Sequence, residues 1–166
     1  MNERFSAADA VVDVQLDHTA GTLAVSGPGL PAVRLVRAPG TEPDEHVPIG
    51  TRTPGALTFT ADGAPAPIAP AKGRLTRRSY RVDTTVGGTA YRLVPCSYAE
   101  SRLLRDGRRL GLLDSTGDGR VGAEWLDGAD VTPLDLAVGT TLAAAFGTGA
   151  QPWWETATAF VADLTP

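Results

Sequence analysis

The chain has 166 residues, 42% of them hydrophobic and 20% charged, with a formal net charge of -4. That length holds one substantial core but not two comfortable ones, so a single domain over residues 1–166 is expected, and the composition excludes wholesale disorder. The single cysteine, Cys96, excludes an internal disulfide, a thiolate metal site and a Cys-x-x-Cys redox pair, which favours a reducing interior.

The N-terminal stretch MNERFSAADAVVDV carries early charges and no continuous apolar run before a cleavage pattern, so it does not read as a secretory signal. From residue 8 to 38, short β-like runs alternate with turn signals: AVVDVQL, GTLAVSG, and AVRLVR after GPGLP. Residues 39–70 hold 7 of the 13 prolines. Proline cannot donate to a ladder, so loops and short edge strands such as ALTFTA at 56–61 are expected there.

The clearest pattern is RRSYRVDTTVGGTAYRLV. Tyr80, Val82, Thr84 and Val86 alternate with Arg81, Asp83 and Thr85, and Gly87-Gly88 supplies the positive φ of a two-residue hairpin turn. The implied register sets Val82 opposite Leu93, Thr84 opposite Tyr91 and Asp83 opposite Arg92, so an apolar face and a charge pair emerge together. A second hairpin is expected at LLRDGRRLGLL around Asp106-Gly107, with Leu103 opposite Leu110 and, less favourably, Arg105 opposite Arg108.

The stretch DSTGDGRVGAEW resembles two binding motifs and fits neither. A calcium loop requires a closing carboxylate at its twelfth position, where Trp125 stands and Glu124 is one residue out of phase. The glycines Gly117, Gly119 and Gly122 match a dinucleotide fingerprint only if a helix begins at the last of them. RVGAEWL has strand periodicity instead. Read as a hairpin turn at Asp118-Gly119, the stretch places Leu112 opposite Trp125, on a face shared with Leu103, Leu110, Val121 and Ala123.

A helix is expected over PLDLAVGTTLAAAF. Thr132 suits the N-cap, Pro133 the first position, Asp135 the first turn and Gly147 the end. Leu136 to Phe146 carries no charge on any side, which calls for burial on every side, and the segment is too short to cross a bilayer. No other apolar stretch reaches that length, so a cytoplasmic protein without a transmembrane segment is expected. The last segment, PWWETATAFVADL, spaces Trp153, Trp154, Ala157, Phe160, Val161 and Leu164 as an amphipathic helix would, its tryptophans capping the core or resting at an interface.

Hairpins followed by one wholly apolar helix, carried by YRVDTTVGGTAYRL, SRLLRDGRRLGLL, RVGAEWL and PLDLAVGTTLAAAF, resemble the tubby-like barrel superfamily with its LURP-one-related and phospholipid-scramblase-like branches. The resemblance covers residues 77–146 and extends to the first 70 by strand count alone. It implies a β-rich α+β fold: a closed antiparallel barrel of about twelve strands around a buried C-terminal hydrophobic helix, here followed by the amphipathic segment. It also implies binding of phosphoinositides or protein partners. The scramblase branch's cysteine-rich lipidation segment and membrane anchor have no counterpart here, and no family ligand residue maps onto a numbered position.

Catalytic patterns are not found. His18 and His46 are separated by turn-rich sequence, no nucleophile elbow or phosphate loop occurs, and Asp127, Asp130 and Asp135 are accounted for by the helix N-terminus they precede or join. A non-enzymatic protein with no cofactor and no bound metal is expected. Lys72 to Arg120 carries 11 of the 15 basic residues and 5 of the 19 acidic ones, leaving that segment at +6 and the remainder at -10. One lysine against fourteen arginines, with heavy Ala, Gly and Pro usage, points to a GC-rich bacterial genome, a bias that itself supplies arginines. Within the basic segment, Arg74, Arg77, Arg78 and Arg81 run together. Arg105 and Arg108 meet at a hairpin mouth, where a bound anion would relieve their repulsion.

These six arginines form the candidate site for an anionic lipid headgroup or an acidic protein surface. The bland alternative is that they guard the wet face of strands against aggregation. Nucleic acid is disfavoured by the acidic whole and by the lack of aromatics beside the basic run beyond Tyr80. Two other functions compete, a carrier of a small apolar ligand held against the C-terminal helix and Trp153-Trp154, and a structural accessory subunit of a larger complex. Oligomeric state is left open.

Overall fold

The structure, a computed structural model, describes residues 4–73 and 76–148. The alternating apolar runs of the first 70 residues form an antiparallel meander of five strands, β1 (Asp13–Asp17), β2 (Thr22–Ser26), β3 (Val33–Arg37), β4 (Leu57–Ala61) and β5 (Ala64–Ala66). Because paired residues share a face, the register builds apolar rungs: Leu16, Leu23, Leu35 and Phe59 in one, Val14, Val25, Val33 and Ala61 in the next. Leu23, Leu35 and Phe59 are buried almost completely.

A second meander follows: β6 (Ile68–Pro70), β7 (Val82–Val86), β8 (Thr89–Pro95), β9 (Glu100–Arg105), β10 (Arg108–Ser115) and β11 (Val121–Trp125). The β7–β8 hairpin has the expected register, Val82 to Leu93, Asp83 to Arg92 and Thr84 to Tyr91. Gly87 and Gly88 both take positive φ, as the two-residue turn requires. The strand begins two residues later than its alternation, since Arg77–Tyr80 is a 3-10 turn.

The helix α1 spans Pro133–Phe146. Thr132 caps it through its side chain, Asp135 completes the capping box, Pro133 holds the first turn and Gly147 the end. Asp135 through Phe146 are all buried, and α1 packs against strands of both sheets. Its lack of a polar face follows from that position. Burying side chains such as Leu142 and Phe146 contributes ~1.5–3 kcal/mol each.

The closed barrel of about twelve strands is not what the described residues form: eleven strands lie in two sheets, and no ladder joins one sheet to the other. At one seam the chain passes from β5 to β6 across the single residue Pro67, in a run with Pro65 and Pro70. Three prolines in six residues leave too few N–H groups to continue a ladder, so the run forms the edge of both sheets. At the other seam β1 and β11 are each paired on one side only.

Two registers also depart from expectation. In β9–β10, Arg105 does pair with Arg108, but Leu103 pairs with Gly111, because Leu110 is the extra residue of a β-bulge. In β10–β11, Leu112 pairs with Glu124, and Trp125 pairs with Gly111. The turn there is Thr116–Arg120 and not the dipeptide Asp118-Gly119. The Asp118 carboxylate accepts from Arg120 N (3.1 Å) and from the Thr116 hydroxyl, closing a longer loop with positive φ at Gly117 and Gly119. Shifting the pairing by one residue sends Leu113 inward and Leu112 outward.

One buried network fixes the start of the helix. Asp135 accepts from the Tyr91 hydroxyl (2.6 Å) and from Thr132 N (2.8 Å), and it pairs with the Arg105 guanidinium. Burial first, and then the bond to Asp135, holds the Tyr91 hydroxyl well above the ordinary tyrosine range. The folded state therefore keeps a proton that the unfolded chain releases near pH ~10. Stability linked to Tyr91 is complete below that pH and falls as pH rises above it. Urea unfolding followed from about pH 8 to about pH 11 is expected to show this alkaline decline in the unsubstituted chain and a shallower one in Tyr91→Phe.

Candidate docking face

The strand period decides which arginines face outward. In β8 to β10 the inward positions are Tyr91, Leu93, Ser101, Leu103 and Leu113, all buried, so Arg92, Arg102, Leu104, Arg109 and Leu112 face out. The register aligns them in two rungs: Asp83, Arg92, Leu104 and Arg109, and beside it Val94, Arg102, Leu112 and Glu124. Arg92 and Arg109 are thus two strands apart, with Cα atoms about 10 Å from each other. Arg102 lies on the strand between them.

Their electrostatic states differ. Arg92 donates to both carboxylate oxygens of Asp83 (2.6 and 3.3 Å), which holds its guanidinium above the usual range, and Arg81 approaches the same carboxylate at 3.6 Å. Among the described residues Arg102 and Arg109 have no carboxylate partner, and Arg102 Nε is buried without a hydrogen bond. Half-buried Val94, Leu104 and Leu112 fill the spaces between the three arginines.

The six arginines singled out by sequence do not form one site. Arg81 is brought to Arg92 through Asp83, and the 3-10 turn carrying Arg77 and Arg78 packs against β8. Arg105 turns inward: it pairs with buried Asp135 and donates to Asp130 O (3.0 Å), so its repulsion with Arg108 is relieved by the protein itself. Arg108 is exposed at the hairpin mouth. Arg74 lies outside the described residues, as do Trp153, Trp154 and the final amphipathic segment. Sequence reasoning missed Arg102 and Arg109, although both stand at outward positions of hairpins it had placed.

The histidines, treated as separate loop residues, line one open cleft of about 770 Å³ at the C-terminal end of α1, with Glu45, Tyr98 and Phe146. His18 Nδ1 lies 2.9 Å from Pro48 O, so the proton is on that nitrogen. Among the described residues no group of three or more His, Cys, Asp or Glu side chains is placed to hold a metal ion, and no helix is long and apolar enough to cross a membrane. No protein family, curated protein or solved structure matches the chain.

Proposed function

We propose that this protein is a non-enzymatic binding module whose outer six-stranded face docks an acidic protein surface. The observation that carries this reading is Arg102. Its Nε is buried without a hydrogen bond, on the strand between those of Arg92 and Arg109 and one rung away from them, flanked by half-buried Val94 and Leu112 across the ladder. An unpaired buried donor is costly, and a partner carboxylate meeting the outer Nη atoms of the same guanidinium would offset that cost through charge-assisted hydrogen bonds. Arginine set among apolar side chains is a recurrent anchor of protein interfaces.

The tubby-like reading belongs with this proposal. Its support is a helix, uncharged from Leu136 to Phe146, packed against strands of two meanders; the same likeness implies an anionic headgroup as the alternative ligand. The half-buried, unpaired Cys96 suits a cytoplasmic setting.

The test uses two probes, poly-L-glutamate and vesicles of phosphatidylcholine with and without phosphatidylserine. Binding of poly-L-glutamate is expected to weaken with added salt and to fall about tenfold or more in Arg102→Glu/Arg109→Glu. Binding that survives this double reversal would remove the face from the proposal. Preference for the anionic vesicles over the polypeptide would assign the same arginines to lipid.

A further inference from the structure

Charge is divided unevenly over this molecule. Residues 5–33 hold three acidic side chains, Asp9, Asp13 and Asp17, and neither lysine nor arginine. The strand period turns Asp13, Gln15 and Asp17 of β1 outward, opposite to Val14 and Leu16, which pack against the core, and all three are exposed. Across the ladder stand Ser26, Ala24 and Thr22, side chains too short to screen the carboxylates. Arg34, on β3 beyond them, is the one outward base on the five strands. Arg37 is buried and gives its guanidinium to three carbonyl oxygens.

These carboxylates lack a cation as Arg102 and Arg109 lack an anion. Asp13 accepts from Gln15 Nε2 (3.0 Å) and Asp17 from Ala20 N (2.9 Å), and among the described residues neither joins an ion pair. Neutral donors of this kind leave each full charge in place. Asp13 and Asp17 stand about 13 Å apart along one strand, and Arg102 and Arg109 about 8 Å apart across one ladder, a difference that two long arginine side chains take up. Both rows lie on the outer side of a sheet, so two copies can bring them together without displacing any core residue.

We propose that the acidic surface met by the arginine face is the β1 row of a second copy of this chain, with Asp13 and Asp17 of one copy facing Arg102 and Arg109 of the next. This pairing rests on the docking reading of the arginine face and names its partner. Unlike patches meet in it, so the contact is heterologous, and each copy keeps a free row for a further copy. Exposed ion pairs are individually weak, so association is expected at low salt and high protein concentration.

Sedimentation equilibrium on the full chain tests it. The unsubstituted protein is expected to self-associate at low salt and to dissociate as salt is added; a protein that stays monomeric overturns the proposal. Asp13→Lys/Asp17→Lys and Arg102→Glu/Arg109→Glu are each expected to weaken self-association about tenfold or more. Mixed in equal amounts, the two variants are expected to bind each other, because each supplies the row that the other lacks. A mixture no more associated than its components overturns the proposal. Asp13 and Asp17 are exposed, so their variant decides alone if the arginine variant does not fold: self-association equal to that of the unsubstituted chain is fatal to the pairing. Poly-L-glutamate separates this pairing from the docking reading beneath it. Asp13→Lys/Asp17→Lys keeps the arginine face and is expected to bind the polyanion at least as tightly as the unsubstituted chain. Polyanion binding that is lost on arginine reversal, in a chain that never self-associates, overturns the pairing and leaves the face to a different acidic protein. Polyanion binding that survives Arg102→Glu/Arg109→Glu removes the face itself.

Discussion

Replacing Asp135 with alanine is expected to cost ~3–5 kcal/mol, the loss that follows when one member of a buried ion pair is removed. The Asp135 side chain is 1% exposed and that of Arg105 is 27% exposed. Its carboxylate serves three donors at once, the Tyr91 hydroxyl, the Arg105 guanidinium and Thr132 N. Alanine leaves the phenol unsatisfied, strands the cation and opens the capping box. For a chain of this length the fall in Tm is about 6–20 °C, read by circular dichroism. Arg105→Met in the Asp135→Ala background is expected to recover part of the loss, because the stranded charge leaves with it. A loss below about 1 kcal/mol for Asp135→Ala would show that the network does not anchor the helix.

The second large effect concerns how closely α1 approaches the six-stranded sheet. A Cβ at Gly139 would lie 2.6 Å from Leu103 Cδ2 and 3.1 Å from Leu113 Cδ1, and both leucines are fully buried. Gly139→Val is expected to destabilise by ~2–3 kcal/mol through overpacking, outweighing any gain from replacing a helical glycine. Leu103→Ala is expected to cost ~2–5 kcal/mol by leaving a cavity. The two changes occupy the same space, so the double variant should cost less than their sum by at least about 1 kcal/mol in urea unfolding. Strict additivity would mean that helix and strand are not in contact there.

Local signals carried most of the architecture. The β7–β8 register was legible because a Gly-Gly turn and a period of two agree on one pairing. The limits of α1 were legible because Thr132, Pro133, Asp135 and Gly147 are each chemically suited to their place. What escaped depended on contacts distant in sequence or on one side chain's choice of partner. Asp118 bonding to Arg120 N lengthened a turn and moved Trp125 from Leu112 to Gly111. Leu110 became a bulge. Arg105 looked available because its partner, Asp135, stands 30 residues later. Recognising the outward set of Arg92, Arg102 and Arg109 required the registers of three neighbouring strands together, and a linear run of arginines does not supply them. The open seams were equally hidden, since counting strands does not reveal whether the first meets the last.

The position of α1 after both meanders sets a timetable for synthesis. Each sheet pairs strands that are neighbours in the chain, so their ladders close over short loops and form readily as the polypeptide emerges. Their greasy inner sides have no seat until Leu136–Phe146 arrives. A nascent chain stalled before that segment would hold two half-finished walls and no keystone, and at that stage a holdase chaperone would find the most to grip.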